Sequence, residues 1–154
     1  MRKSMRYKHT QKGKLHFILY FATLFLLAFG VLISHDRFGT GVIFCGALVC
    51  LIFGLSSHTL TVKDEGNLLQ IVSGPLPLFK KDVQYSEIKD VEKTRSTIID
   101  GWGLHYGIGK GWIINIWGFD CIALKVGEKK FRIGTDDPIG LFEFLKKNVE
   151  KESP

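Results

Sequence analysis

The residues able to do chemistry are few, and their spacing does not organise them. His105 stands between Asp100 on one side and Asp120 and Cys121 on the other. These are the types that a nucleophile, its base and an orienting acid require, but no spacing assigns those roles. Asp136 and Asp137 resemble half a metal site until Pro138 is included. An aspartate, then a proline, then an apolar run of helical period is the start of a helix. The glycines 101, 103, 107, 109 and 111 match neither GxxxxGK[ST] nor a GxGxxG that opens a helix, since Leu104 stands five before Gly109. The expectation is a protein that is not an enzyme, with no cofactor and no metal.

The same stretch, DGWGLHYGIGKGWIINIWGFD from Asp100 to Asp120, holds all three tryptophans and six of the seventeen glycines. Folded as a hairpin around GIGKG, it sets Tyr106 opposite Trp112, Leu104 opposite Ile114 and Trp102 opposite Ile116. Those six form one inward face of aromatic and branched cross-strand pairs. On the other face Gly101, Gly103 and His105 are nearly bare and adjoin Trp117. Either Trp117 lies across the glycines, which is local packing, or Gly101, Gly103, His105 and Trp117 form a trough that takes a partner.

The elements around this hairpin begin with two charge-free runs, residues 15–34 and 39–57. Each approaches the roughly 20 residues needed to cross a bilayer as a helix. Only His35 to Phe38 separates them, so they form a transmembrane helical hairpin spanning 15–57. Gly46, Cys50 and Gly54 make a small-residue stripe that admits a close neighbour, either the first helix or, by self-association, a second copy. His16 is the one ionisable group inside either run.

Residues 1–14 are a basic tail: Arg2, Lys3, Arg6, Lys8, Lys12 and Lys14 face no acid. The positive-inside bias puts this tail in the cytoplasm, and the hairpin returns the chain there. The expected location is the inner cell membrane, multi-pass, with both termini cytoplasmic and the six cations against anionic lipid. From residue 58 onward fourteen Lys/Arg balance fourteen Asp/Glu, so no basic face offers itself to nucleic acid. Cys121 is the only cysteine after the hairpin, which leaves no disulfide within that part.

Beyond residue 57 the apolar period becomes two. Leu60 and Val62, Leu69 and Ile71, Val83 and Tyr85, Ile122 with Leu124 and Val126, and Phe131 with Ile133 alternate between turn residues. The period then returns to helical over 138–151, where Leu141, Leu145 and Val149 recur every four residues behind the Asp137 cap. About seven antiparallel strands, as a bent sheet or partly open barrel, are therefore expected, closed by one C-terminal helix.

DGWG (Asp100–Gly103), GWIINIWG (Gly111–Gly118) and RIGTDDP (Arg132–Pro138), placed after two membrane helices, resemble the bacterial pleckstrin-homology-like (PH-like) domain family over residues 58–151. The resemblance implies a seven-stranded bent barrel capped by a C-terminal helix and brings no catalytic residue. Better-known relatives grip phosphoinositides with basic residues around the loop between the first two strands. Here that loop is the acidic Lys63–Asn67, which leaves Lys80, Lys81, Lys129, Lys130 and Arg132 as basic surface. The function expected is a membrane-anchored interaction or scaffold module with a protein partner. The alternatives are a peripheral sensor of anionic lipid, or an accessory subunit of a membrane enzyme or transporter.

Overall fold

The structure, a computed structural model, describes residues 7–75, 79–97, 103–107 and 109–152. Its first element is a strand where the sequence promised only a tail. Residues Lys8–Lys12 (β1) pair antiparallel with Thr59–Asp64 (β2), Lys8 opposite Lys63 and Lys12 opposite Thr59. Nothing apolar alternates in KHTQK, and only Gln11 is buried. Pairing with β2, not its own pattern, makes it a strand.

Between these two strands the chain leaves and returns through helices α1 (Leu15–Leu32) and α2 (Arg37–Ser56). The hairpin of helices is thus the connection of a β-hairpin. At 18 and 20 residues the helices are long and apolar enough to cross a membrane, about 27 and 30 Å at 1.5 Å per residue. Asp36 begins α2 two residues earlier than the apolar run, its carboxylate accepting from the Phe38 amide at 3.2 Å. Large side chains such as Phe17, Phe21, Phe25, Phe38, Leu48 and Phe53 point outward, unlike the mostly buried core helix of a water-soluble domain. Small ones face between the helices. A Cβ on Gly54 would come 2.7 Å from the Tyr20 ring, and one on Gly46 3.8 Å from Leu26. The small-residue stripe, in which Cys50 is half-buried, is therefore turned toward α1 at both its ends.

The remaining strands are Leu68–Ser73 (β3), Phe79–Gln84 (β4), Ile88–Arg95 (β5), Gly103–Gly107 (β6), Gly111–Asn115 (β7), Asp120–Val126 (β8) and Lys129–Gly134 (β9). Helix α3 (Pro138–Glu152) follows. In place of about seven strands in one bent sheet there are nine among the described residues, in two sheets. One is ordered β1-β2-β3-β4, the other β5-β8-β9-β7-β6. Two features account for the difference: β1 is added, and a 3₁₀ turn at Tyr85–Glu87 sends β4 and β5 into different sheets. The pairing is also not antiparallel throughout, because β7 and β9 run parallel with Trp112 opposite Phe131 and Ile114 opposite Ile133.

The alternation expected from sequence builds the core. Leu60, Val62, Leu69, Ile71 and Val83 from the first sheet meet Ile114, Ile122, Leu124 and Ile133 from the second. Leu141 and Leu145 of α3 are fully buried in the same cluster. Helix α3 starts as expected, with the Asp137 carboxylate accepting from the Gly140 amide at 3.0 Å and Pro138 in the first turn.

Candidate functional site

The hairpin of β6 and β7 has the expected register: Tyr106 opposite Trp112, Leu104 opposite Ile114, Gly107 opposite Gly111. Trp102 and Gly101 lie outside the described residues. The face assigned to Leu104, Tyr106 and Trp112 requires correction. Leu104 is 45% exposed, Tyr106 64% and Trp112 48%, because β6 is the last strand of its sheet and only the inner half of that face meets the core. Ile114 and Ile116 are buried as expected, but so are Ile113 and Asn115 on the opposite face.

Asn115 organises that opposite face. Its amide nitrogen donates to the Ser96 hydroxyl at 3.1 Å and to the Gly118 carbonyl at 2.9 Å, and its oxygen accepts from the Trp117 amide at 3.2 Å. A Cβ on Gly134 would collide with this side chain. The buried amide thereby sets the turn of residues 116–119 and carries Trp117 away from β6. Trp117 does not lie across Gly103, whose added Cβ would meet nothing within 4 Å. Of the four trough candidates, Gly103 and the half-buried His105 are neighbours on one open strand. Trp117 belongs elsewhere.

It belongs at the junction with the helices. The Gln11 side chain donates to the Trp117 carbonyl at 2.8 Å, and the Lys14 ammonium lies 5.7 Å from the centre of the Trp117 ring. The Gly13 amide donates to the His58 carbonyl at 3.1 Å, closing the β-hairpin just outside the helices. From the neighbouring strand the Ser73 hydroxyl donates to the Ser56 carbonyl at 2.6 Å. Of the six tail cations, Arg2, Lys3 and Arg6 lie outside the described residues. Lys12 and Lys14 stand beside the helix ends, whereas pairing with β2 holds Lys8 about 13 Å further along the strand.

Among the described residues no catalytic arrangement forms around His105, and Asp100 lies outside them. In the order β8-β9-β7-β6, Cys121 on β8 and His105 on β6 are three strand spacings apart, about 14 Å. Burial raises the Cys121 thiol pKa, and Asp120 pairs with Arg95 at 3.2 Å. Asp136 and Asp137 are taken by the first strand and the residue before it: His9 meets Asp136 at 2.5 Å, and the Tyr7 hydroxyl donates to Asp137 at 3.1 Å. Among the described residues no three His, Cys, Asp or Glu side chains gather as a metal site would need.

Among the described residues a concave surface lies at the far tip of the β6–β7 hairpin, a place the sequence did not single out. Gly111, at φ +77°, lets the tip fold onto the start of β9, where a Cβ would run into the Lys130 carbonyl. A cleft of about 320 Å³ opens there, lined by Tyr106, Gly109, Trp112, Glu128, Lys129 and Lys130. Tyr106 and Trp112 meet edge to face with centroids 5.7 Å apart. Glu128 is held by Lys89 at 2.7 Å, which lowers its carboxyl pKa. A smaller cleft of about 180 Å³ adjoins through Lys130 and adds Lys125 and Arg132 together with Asp90 and Glu92. The neighbouring basic pair in EKKF was legible, but not its meeting with the aromatic pair across β7 and β9. Set against known protein families and against curated proteins, the chain finds no match in either.

Proposed function

We propose that this chain is a membrane-anchored, non-enzymatic interaction or scaffold module, with α1 and α2 crossing the inner membrane and a PH-like β domain on its cytoplasmic face. One observation carries this reading. The helices are the connection between paired strands β1 and β2, so two short covalent links and the Gly13–His58 bond hold the domain at the point where the helices emerge. A domain so mounted presents one fixed orientation to whatever binds it. Trp117 and Lys14 beside the helix ends have the chemistry of a bilayer interface, an amphipathic ring and a cation at headgroup level. Support for a PH-like fold comes from two sheets closed by a C-terminal helix. The N-terminal strand and the parallel β7–β9 pair depart from a plain seven-stranded barrel.

Cytoplasmic placement rests on the lysines and arginines before α1. A reporter active only outside the membrane should be silent when fused after Pro154 and active when inserted between Asp36 and Arg37. The opposite pattern reverses the orientation, and activity at neither site together with release of the chain by alkaline extraction ends the membrane reading.

A further inference from the structure

Four strands end the two sheets, and three of them are guarded. Strand β1 carries Lys8 and Lys12, β4 carries Lys80, Lys81 and Asp82, and β5 carries Lys89, Asp90, Glu92, Lys93 and Arg95. Charges on an edge are the usual means of keeping foreign strands from pairing with it. Strand β6, Gly-Leu-His-Tyr-Gly, has no lysine, arginine, aspartate, glutamate or proline. Among the described residues its outer edge pairs with no strand. The strand carries the exposed Leu104 and Tyr106, and the exposed Trp112 stands beside them on β7. At its end Lys129 and Lys130 have no ion-pair partner among the described residues, because the nearby Glu128 is engaged by Lys89.

From this we infer that β6 is a docking edge for an extended acidic peptide, which adds as a further strand along Gly103–Gly107 and runs on past Gly107 over the hairpin tip, where its carboxylates meet Lys129 and Lys130 in the cleft they share with Tyr106 and Gly109. The inference rests on the interaction-module reading and names the class of partner. Main-chain hydrogen bonds to β6 would supply affinity, and an apolar peptide side chain over Tyr106 and Trp112 together with the lysine contacts would supply selectivity. At Gly103 an added Cβ would meet nothing within 4 Å, so a partner's backbone approaches that end of the strand unhindered.

Charge and position select this occupant over two others. A second copy docking here by two-fold symmetry would run antiparallel, with its lysine pair at the far end of the joint and its own uncharged β6 opposite this one, so neither lysine pair would gain a counter-charge. The protein's own bilayer is at the other end of the sheet: Ile116, 3.2 Å from a Cβ on Gly13, marks the helix end, and Trp112 lies four residues, about 13 Å, beyond it.

The test uses the full chain in nanodiscs of phosphatidylcholine and two fluorescein-labelled heptapeptides, one alternating Asp or Glu with Val, the other Lys with Val. The acidic peptide should bind about tenfold more tightly or better, and Lys129→Glu with Lys130→Glu should remove that margin. Tyr106→Ala, at an exposed position, should weaken binding several-fold without changing the thermal midpoint. Hydrogen exchange at the amides of residues 104–106 should slow on binding. Equal binding of the two peptides, indifference to the charge reversal, or protection elsewhere overturns the inference. So does slowed exchange at 104–106 that depends on chain concentration without peptide, which would make a second copy the occupant. Photo-cross-linking in native membranes from positions 106, 89 and 143 separates this failure from failure of the module reading. Adducts at 89 or 143 but not at 106 sink the docking edge alone, and no adducts at any position sink both.

Discussion

Two edge strands of this molecule, β1 and β6, are built in opposite ways. Strand β1 is polar and tied along its length. Asp64 donates its amide to the Tyr7 carbonyl at 2.8 Å just before the strand, His9 holds Asp136, and Gln11 reaches the Trp117 carbonyl. Tyr7 also stacks on Phe144 of α3 with centroids 5.0 Å apart. Strand β6 is uncharged and carries large exposed side chains. A polar strand with no core face stays in place by specific bonds to other elements. An apolar strand at an edge keeps its register through one neighbour and leaves its outer half unused. The first arrangement anchors the helical hairpin to the domain, and the second offers a surface.

The comparison breaks most visibly if β1 is dispensable. Residues 58–154, which the strand pattern alone suggests would fold by themselves, lack β1 and expose the edge of β2. Replacing residues 13–58 by Asn-Gly keeps β1 and joins Lys12 to Thr59, already opposite one another, by a two-residue hairpin turn. The replaced chain should unfold cooperatively in urea with a β-dominated far-ultraviolet spectrum. The 58–154 fragment should be less stable by about 2 kcal/mol, the sum of four cross-strand pairs, since Lys8 opposite Lys63 sets like charges together. Equal stability would reduce β1 to an ornament.

The next test sets a core residue of β2 beside an aromatic of the β6–β7 hairpin. Leu60→Ala should cost about 2 to 5 kcal/mol, since Leu60 is fully buried between the sheets. Trp112→Ala should cost less, about 1 to 2 kcal/mol, because about half of the residue is already in water. A larger loss at Trp112 than at Leu60 would mean that the hairpin tip is core, and that its exposed aromatics are not a docking surface.

The smallest effect is a pH dependence that sharpens the anchoring role of Tyr7. Burial first, and the Asp137 carboxylate after it, raise the Tyr7 hydroxyl pKa. Burial and the bond to Asp64 at 2.9 Å raise that of Tyr85. Phenols whose pKa is raised on folding contribute stability that is complete below the unfolded value, about 10, and is lost as pH rises beyond it. Thermal midpoints should therefore fall between roughly pH 9.5 and 11, and Tyr7→Phe should flatten part of that slope. An unchanged slope in Tyr7→Phe would show that Tyr7 is not held against Asp137.

Local pattern determined several parts of this protein. Continuous apolar runs form helices of membrane length whatever lies beside them. The glycines of GIGKG and the pairing of Tyr106 with Trp112 follow from the turn, and Asp137-Pro138 starts α3 by bonds within one helical turn. Other features needed the tertiary structure. KHTQK has no strand pattern, and becomes β1 because the returning chain places Thr59–Lys63 opposite it. Which face of the β6–β7 hairpin is covered depends on its place at the end of the order β5-β8-β9-β7-β6, and a period of two cannot tell a central strand from an edge. The stripe of Gly46, Cys50 and Gly54 asked for a close neighbour, and the four-residue connection between the helices made that neighbour α1. The tip cleft joins residues from β6, β7 and the β8–β9 turn. Local periodicity is set by neighbours three or four residues away, whereas such meetings are set by which strands share a sheet.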